Sequence, residues 1–146
     1  GALPPVIGWT IATNSLSMEP LTLFLIIFIW TPAHFWPLAI DRVEDYKKAN
    51  VPMLPVTHGI EHTKNYIVVY TILLVFVSIL PFIFSMNSIA YLIGALLLGF
   101  WFLSYSLKLK FASTTKTAIK TFHVSIVYLF LLFIALVTDH AMNINL

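Results

Sequence analysis

Leu21 to Ile40 reads L-T-L-F-L-I-I-F-I-W-T-P-A-H-F-W-P-L-A-I, an apolar run without a single Asp, Glu, Lys or Arg. Wound as an α-helix at about 1.5 Å per residue, a run of this length rises about 30 Å, the thickness of a bilayer's hydrocarbon core. A helix also satisfies its own backbone N–H and C=O groups where no water is present to do so. Three stretches of similar length and character follow: Asn65 to Phe84, Ser88 to Leu107 and Ala118 to Thr138. The expected architecture is therefore all-α and integral to a membrane, with four transmembrane helices (21–40, 65–84, 88–107, 118–138) in one domain covering residues 1–146.

The composition excludes a water-soluble globule. Of 146 residues, 60% are hydrophobic and 10% charged, and mean hydropathy is +0.93, against roughly 45–50% apolar usage in soluble domains. A single core of this size cannot hide so much apolar surface from water. The formal charge of +2 is too small to point to a nucleic-acid partner. With no cysteine in the chain, disulfides, thiolate metal sites and cysteine nucleophiles are excluded. No positively charged segment precedes an apolar one at the start, so no signal peptide is expected, and the chain reads as truncated there. The opening Leu3 to Ala12 is apolar but interrupted by Pro4, Pro5 and Gly8. It is too short to cross, and is expected to be an interfacial turn or the end of a further helix.

The basic residues set the orientation. Arg42, Lys47, Lys48 and Lys64 follow the first span, and Lys108, Lys110, Lys116 and Lys120 surround the link between the third and fourth. Residues 1–20, the link Ser85-Met86-Asn87 and the tail after Thr138 carry neither Lys nor Arg. The positive-inside bias then places loops 41–64 and 108–117 in the cytoplasm and the C-terminus outside. The short Ser85–Asn87 link makes the second and third helices an antiparallel hairpin. Asp139 and His140 fall in the outer tail, where they are expected to be solvated. Gly94 and Gly99 are five apart, not the small-residue spacing of a helix-dimer motif.

Chemistry is expected where the ionisable groups concentrate, at Asp41-Arg42-Val43-Glu44-Asp45-Tyr46-Lys47-Lys48. If the helix runs on through this segment, Asp41 and Asp45 share a face at i,i+4, where like charges repel by a few tenths of a kcal/mol. A hard divalent cation relieves that repulsion, because Mg2+ favours one or two carboxylates together with phosphate oxygens and water. Arg42 and Lys47 would take phosphate oxygens, Arg as a planar fork and Lys as a point charge. The alternative is an interfacial loop whose charges pair with one another and with lipid headgroups.

Upstream, Pro32 and Pro37 each remove a backbone donor, so the first helix is expected to kink or unwind near the carboxylates. His34 lies seven residues before Asp41 and so on roughly the same side, as a base, a haem ligand or a hydrogen-bond donor; the alternative is structural hydrogen bonding to a neighbouring helix. Trp30, Phe35 and Trp36 can line a groove for an apolar ligand or anchor the helix at the interface, the role also expected of Trp9 and Trp101. His58 and His62 share i,i+4 spacing, but Gly59 intervenes and no third ligand is evident, so both are expected to be loop residues. His123, beside Lys120, is expected to reach toward the headgroups.

Several of these segments together resemble a known family. They are Gly1-Ala2-Leu3-Pro4-Pro5-Val6-Ile7-Gly8-Trp9; W-T-P-A-H-F-W-P-L-A-I-D-R-V-E-D-Y-K-K-A-N-V-P-M-L-P-V over residues 30–56; Thr63-Lys64 with Ile67 and Tyr70; and Lys120-Thr121-Phe122 with Ser125-Ile126-Val127-Tyr128-Leu129. The chain resembles the protohaem IX farnesyltransferases (haem O synthases), a branch of the UbiA-type intramembrane prenyltransferases. The resemblance implies a nine-helix bundle about twice this length, of which this chain is the C-terminal part. The family's first acidic motif, of the form N-x-x-x-D-x-x-x-D, is not in this chain, and its second corresponds to Asp41 through Asp45. Ala33 stands where a second proline is frequent and Pro37 where a small residue is.

The implied reaction transfers the farnesyl group of farnesyl diphosphate to a vinyl group of haem B, giving haem O for respiratory oxidases. Mg2+ would be held by Asp45 and Asp41, with Arg42 as a further catalytic residue, and diphosphate by Arg42, Lys47, Lys64 and Lys120. His34, Trp30 and Phe35 would contact haem or substrate. The implied partners are farnesyl diphosphate, haem B, membrane lipid and an N-terminal half of the same protein, without which this piece is inactive, and beyond these haem A synthase or oxidase assembly factors. The implied setting is the bacterial inner membrane, with the mitochondrial inner membrane second. Two alternatives remain: a quinone-pathway member of the superfamily, against which W-T-P-A-H-F speaks, and a non-catalytic haem-binding assembly subunit.

Overall fold

The computed structural model describes residues 2–13, 18–111 and 116–144, with side chains as far as residue 142. Among the described residues every regular element is an α-helix: α1 (Pro4–Thr13), α2 (Met18–Asp41), α3 (Val43–Lys48), α4 (Leu54–His58), α5 (Ile60–Ser78), α6 (Leu80–Ile83), α7 (Ile89–Phe111) and α8 (Thr117–Ile144). The helices of α2, α5 with α6, α7 and α8 are long and apolar enough to cross a membrane. The opening segment, expected as a turn or a helix end, is a helix of ten residues packed on α2. Its prolines occupy the first turn, where a backbone donor has no helical partner to lose.

Segment 41–64, expected as a loop, is largely helical. V-E-D-Y-K-K holds no Gly or Pro, and it places Glu44 and Asp45 in the first turn and Lys47 and Lys48 in the last, matching the helix dipole. Asn50 closes that piece in the left-handed region (φ 55°), which asparagine tolerates better than most residues. α4 then starts with Pro55 in its first turn, and Gly59 (φ 90°) makes the corner into α5. α5 thus begins five residues before the expected Asn65, because its opening I-E-H-T-K is polar by composition yet helical by packing. Of the expected loop 108–117, residues 108–111 belong to α7 and 117 to α8, and residues 112–115 lie outside the described ones.

The four long elements close into a ring: α2 packs on α5 and α8, and α7 packs on α5 and α8. Ile26, Leu74, Phe102, Tyr128 and Leu132, all but inaccessible, fill its centre. Polar side chains bridge the helices where lipid offers no partner. Thr71 Oγ1 and Ser106 Oγ lie 2.9 Å apart between α5 and α7. Tyr91 donates its hydroxyl to the Ser78 carbonyl at 2.8 Å, at the α5–α6 break ahead of Pro81.

Gly99 on α7 faces Val75 of α5 with no room for a side chain. A Cβ at this position would meet Val75 Cγ2 at 2.9 Å, and a β-branched side chain has little rotameric freedom in a helix with which to yield. Gly99→Ala is expected to destabilise the bundle by about 1–3 kcal/mol, read as an earlier thermal unfolding transition in detergent; an unchanged transition would show that the two helices separate freely.

Of the kink or unwinding expected at Pro32 and Pro37, the unwinding does not occur: α2 is helical from Met18 to Asp41. Each proline deletes one backbone hydrogen bond, but the surrounding turns are held from outside. Trp30 and His34 are fastened to α8, and Ala33, Pro37 and Ala39 are buried against neighbours. The interruption comes instead at Arg42 (φ −109°, ψ 25°).

At the opposite end of the bundle, Asp139, expected to be a solvated tail residue, is half-buried and held by hydrogen bonds. Its carboxylate accepts the Ser88 backbone N–H at 2.8 Å, the Asn87 side-chain amide at 3.0 Å and the Ser88 hydroxyl. Asn87 also donates to the Leu136 carbonyl at 2.9 Å, and His140 Nδ1 lies 3.1 Å from the Met86 carbonyl. The acid therefore sits at the N-terminal end of α7, where the helix dipole favours negative charge, and clasps α8 to the 85–88 link.

Candidate functional site at the basic end of the bundle

Because the long helices alternate in direction, the C-terminal ends of α2 and α7 and the N-terminal ends of α5 and α8 lie together. Ile67, Leu109 and Ala118 pack there beneath Trp36 and Ile40. All eight Lys and Arg residues gather at this end, and the Asp139 clasp lies at the other.

Asp41 is the last residue of α2 and Asp45 lies in the first turn of α3, so the helix does not run uninterrupted through both as the i,i+4 argument required. The two carboxylates flank the turn at Arg42, and all three residues are exposed. Backbone bonds from Arg42 N to Leu38 O (3.0 Å) and Tyr46 N to Arg42 O (3.1 Å) keep the turn close to helical. The candidate cations differ in their surroundings. Lys47 Nζ lies 3.5 Å from Glu44 Oε1. Lys64 is buried, its Nζ 3.3 Å from Glu61 Oε1. Arg42 and Lys120 are exposed and form no ion pair among the described residues.

His34 is buried between α2 and α8. Its Nδ1 lies 2.8 Å from Ser125 Oγ, and the Ser125 hydroxyl donates to the Phe122 carbonyl. The oxygen therefore accepts from His34, which fixes the proton on Nδ1. Trp30 stacks on the imidazole at 4.2 Å and Phe122 at 4.8 Å, while the Trp30 indole N–H donates to the Ser125 carbonyl at 2.9 Å. Phe35 meets His34 edge-on at 4.7 Å and is otherwise exposed. His123 is exposed at the start of α8.

The structure adds a cleft that the sequence reading passed over. Trp36, Leu54, His58, His62, Tyr66 and Tyr70 line a space of about 220 Å³. His58 and His62, expected in a loop, end α4 and open α5, and their rings stack at 5.6 Å. Tyr66 and Tyr70 stand edge-on to His62 and Trp36 respectively. The available signal was the spacing 62-66-70, three aromatic rings at i,i+4 that an early start of α5 brings onto one face, with His58 added across the Gly59 corner from the end of α4.

The UbiA prenyltransferase family model matches residues 1–141. The chain belongs to that family. As a UbiA-family chain it is 54% identical over 143 residues to protoheme IX farnesyltransferase 2 of Pseudoalteromonas atlantica, covering 98% of this chain and 47% of that protein. It is 55% identical over 146 residues to protoheme IX farnesyltransferase 1 of Pseudomonas fluorescens (100% and 49%), and 54% over 140 residues to the protoheme IX farnesyltransferase of Legionella pneumophila (96% and 48%). It therefore spans about half the length of these curated relatives. No solved structure matches it. Asp41 and Asp45 are exposed carboxylates, the hard oxygen donors that magnesium takes, and among the described residues no group of three acidic or histidine side chains forms a closed metal cage. An ion that keeps positions open for phosphate oxygens needs no such cage.

Proposed function

We propose that the chain supplies one half of an intramembrane prenyltransferase that moves the farnesyl group of farnesyl diphosphate onto a vinyl carbon of haem B, giving haem O. The observation that carries this reading is the placement of Asp41, Arg42 and Asp45 at the rim of an apolar four-helix bundle whose relatives bear the name protoheme IX farnesyltransferase. Magnesium held by Asp45 and Asp41 would draw charge onto the diphosphate leaving group. Arg42 and Lys120, exposed at the same end, bind diphosphate oxygens; Lys47 and Lys64 join them by leaving Glu44 and Glu61. Aromatic faces at Trp30 and Phe35 favour the cationic character that develops on the allylic carbon. His34 positions this wall by tying α2 to α8.

Both substrates are apolar enough to enter from lipid, while the charged diphosphate stays at the rim. The positive-inside bias puts this rim at the cytoplasmic face of the bacterial inner membrane. The first acidic motif, which the reaction also needs, would belong to an N-terminal half of a longer protein, in keeping with relatives about twice this length.

The test is product formation in membranes holding the chain joined to such an N-terminal half. Haem O is expected from haem B only when farnesyl diphosphate and magnesium are both supplied, and no product under those conditions would refute the reading. Orientation is checked independently with single cysteines, which the native chain lacks: labels at Lys48 and Lys108 are expected from the same side.

A further inference from the structure

The charges of the basic end divide unevenly between its two connections. From Asp41 to Lys64, the cations Arg42, Lys47, Lys48 and Lys64 are matched in number by Asp41, Glu44, Asp45 and Glu61. The corner where α7 meets α8 carries Lys108, Lys110, Lys116 and Lys120, and no acidic residue stands anywhere between Glu61 and Asp139. Asp139 is clasped at the other end of the bundle, and among the described residues none of these four lysines forms an ion pair. The uncompensated positive charge of the basic end is therefore all at this corner.

The four lysines belong to one surface. The Thr121 hydroxyl donates to the Tyr105 carbonyl at 3.4 Å, which brings the turn of α8 bearing Lys120 against the turn of α7 bearing Lys108. Lys116 lies one turn before Lys120, whose backbone N–H donates to its carbonyl at 3.1 Å. Lys108 Nζ is 4.9 Å from the centre of the Tyr105 ring and Lys110 Nζ 5.0 Å from that of Phe111, within the range at which a ring face attracts a cation. An exposed apolar stripe leads up to them. Ile93, Leu97, Phe100, Leu107 and Phe111 follow at helical spacing along one side of α7. Neither α5 nor α8 covers this stripe, and Phe111, beside both lysines, is 74% exposed.

Cations at the end of a lipid-facing apolar stripe match the layout of a phospholipid, with its phosphate at the interface and its chains in the hydrocarbon. The choice of lysine fits a fluid ligand, since each ammonium is a point charge on a flexible stem that can lie along apolar surface and reach the headgroups. Planar, two-point recognition would call for arginine, which the corner lacks. We propose that the α7–α8 corner binds an anionic phospholipid, its headgroup phosphate held by Lys108, Lys110 and Lys116 and one acyl chain lying along the stripe from Phe111 to Ile93. Lys120 adds to the local potential while serving the diphosphate. The site goes beyond the transferase reading, and its test does not depend on turnover.

The experiment is native mass spectrometry of the chain joined to its N-terminal half, released from detergent after titration with phosphatidylglycerol or phosphatidylcholine of equal chain length. It reads the ratio of the two dissociation constants. The wild type is expected to favour phosphatidylglycerol by about tenfold or more, and Lys108→Gln alone to take about fivefold off that ratio. The triple variant Lys108→Gln, Lys110→Gln, Lys116→Gln is expected to bring the two lipids to parity, with phosphatidylcholine bound as by wild type, which also shows that the variant is folded. Lys48→Gln removes the same charge from the balanced connection and is expected to leave the ratio unchanged. Inorganic phosphate is expected to displace no more lipid than chloride of the same ionic strength, because it brings the charge without the chain. A wild type without preference would show that another part of the protein covers the corner, and would overturn the proposal. So would a triple variant that keeps the preference, a loss on Lys48→Gln equal to that on Lys108→Gln, or displacement by phosphate alone, which would make the corner a site for free anions.

Discussion

Asp45→Asn is expected to cut haem O formation by about two to three orders of magnitude, the cost of removing one charged group from a clamp on a departing phosphate. The protein itself is expected to be indifferent to the change. The Asp45 side chain is exposed in the first turn of α3 and makes no ion pair among the described residues. The bond that this residue does contribute, from Ala49 N to its backbone oxygen at 3.1 Å, survives any side-chain exchange. Surface substitutions of this kind usually change stability by no more than about 0.5 kcal/mol. The measurement pairs initial rates over a magnesium titration with thermal unfolding of the same preparation. A fall in kcat with a raised magnesium requirement and an unmoved transition fits metal-held diphosphate. Turnover equal to wild type would remove Asp45 from the site.

His34→Ala is expected to have the largest effect on the fold, about 2–4 kcal/mol. It deletes a buried ring packed between Trp30 and Phe122 and leaves the Ser125 hydroxyl without its donor. Ser125→Ala costs less on its own. In a double-mutant cycle the pair is expected to couple by about 1 kcal/mol, since either change alone breaks the same hydrogen bond. Denaturation of the four proteins in one detergent checks this, and strict additivity would show that His34 does not hold α2 to α8.

The transmembrane architecture was legible because the signal is summed over whole segments. Leu21–Ile40 needs no knowledge of its neighbours to be read as a span, and its helix exceeds that range by only three residues at one end and one at the other. What stayed hidden depended on partners distant in sequence. The effect of Pro32 and Pro37 on α2 turned on fastenings to Ser125, ninety-one residues from His34. Asp139 read as a tail residue because nothing near it in sequence announces Ser88, fifty-one residues earlier. The Asp41-to-Asp45 segment stood out through its density of charge. The histidine cleft did not, since Gly59 between His58 and His62 argued for a loop, and only the corner at φ 90° lets two separate helices bring those rings together.

The clasp formed by Asp139 bears on how the protein is made. During synthesis the hairpin of α5 and α7 inserts before α8 leaves the ribosome, so the Asn87 amide waits without the two acceptors it will later hold, the Leu136 carbonyl and the Asp139 carboxylate. Arrival of the last helix both completes the ring and supplies those two acceptors.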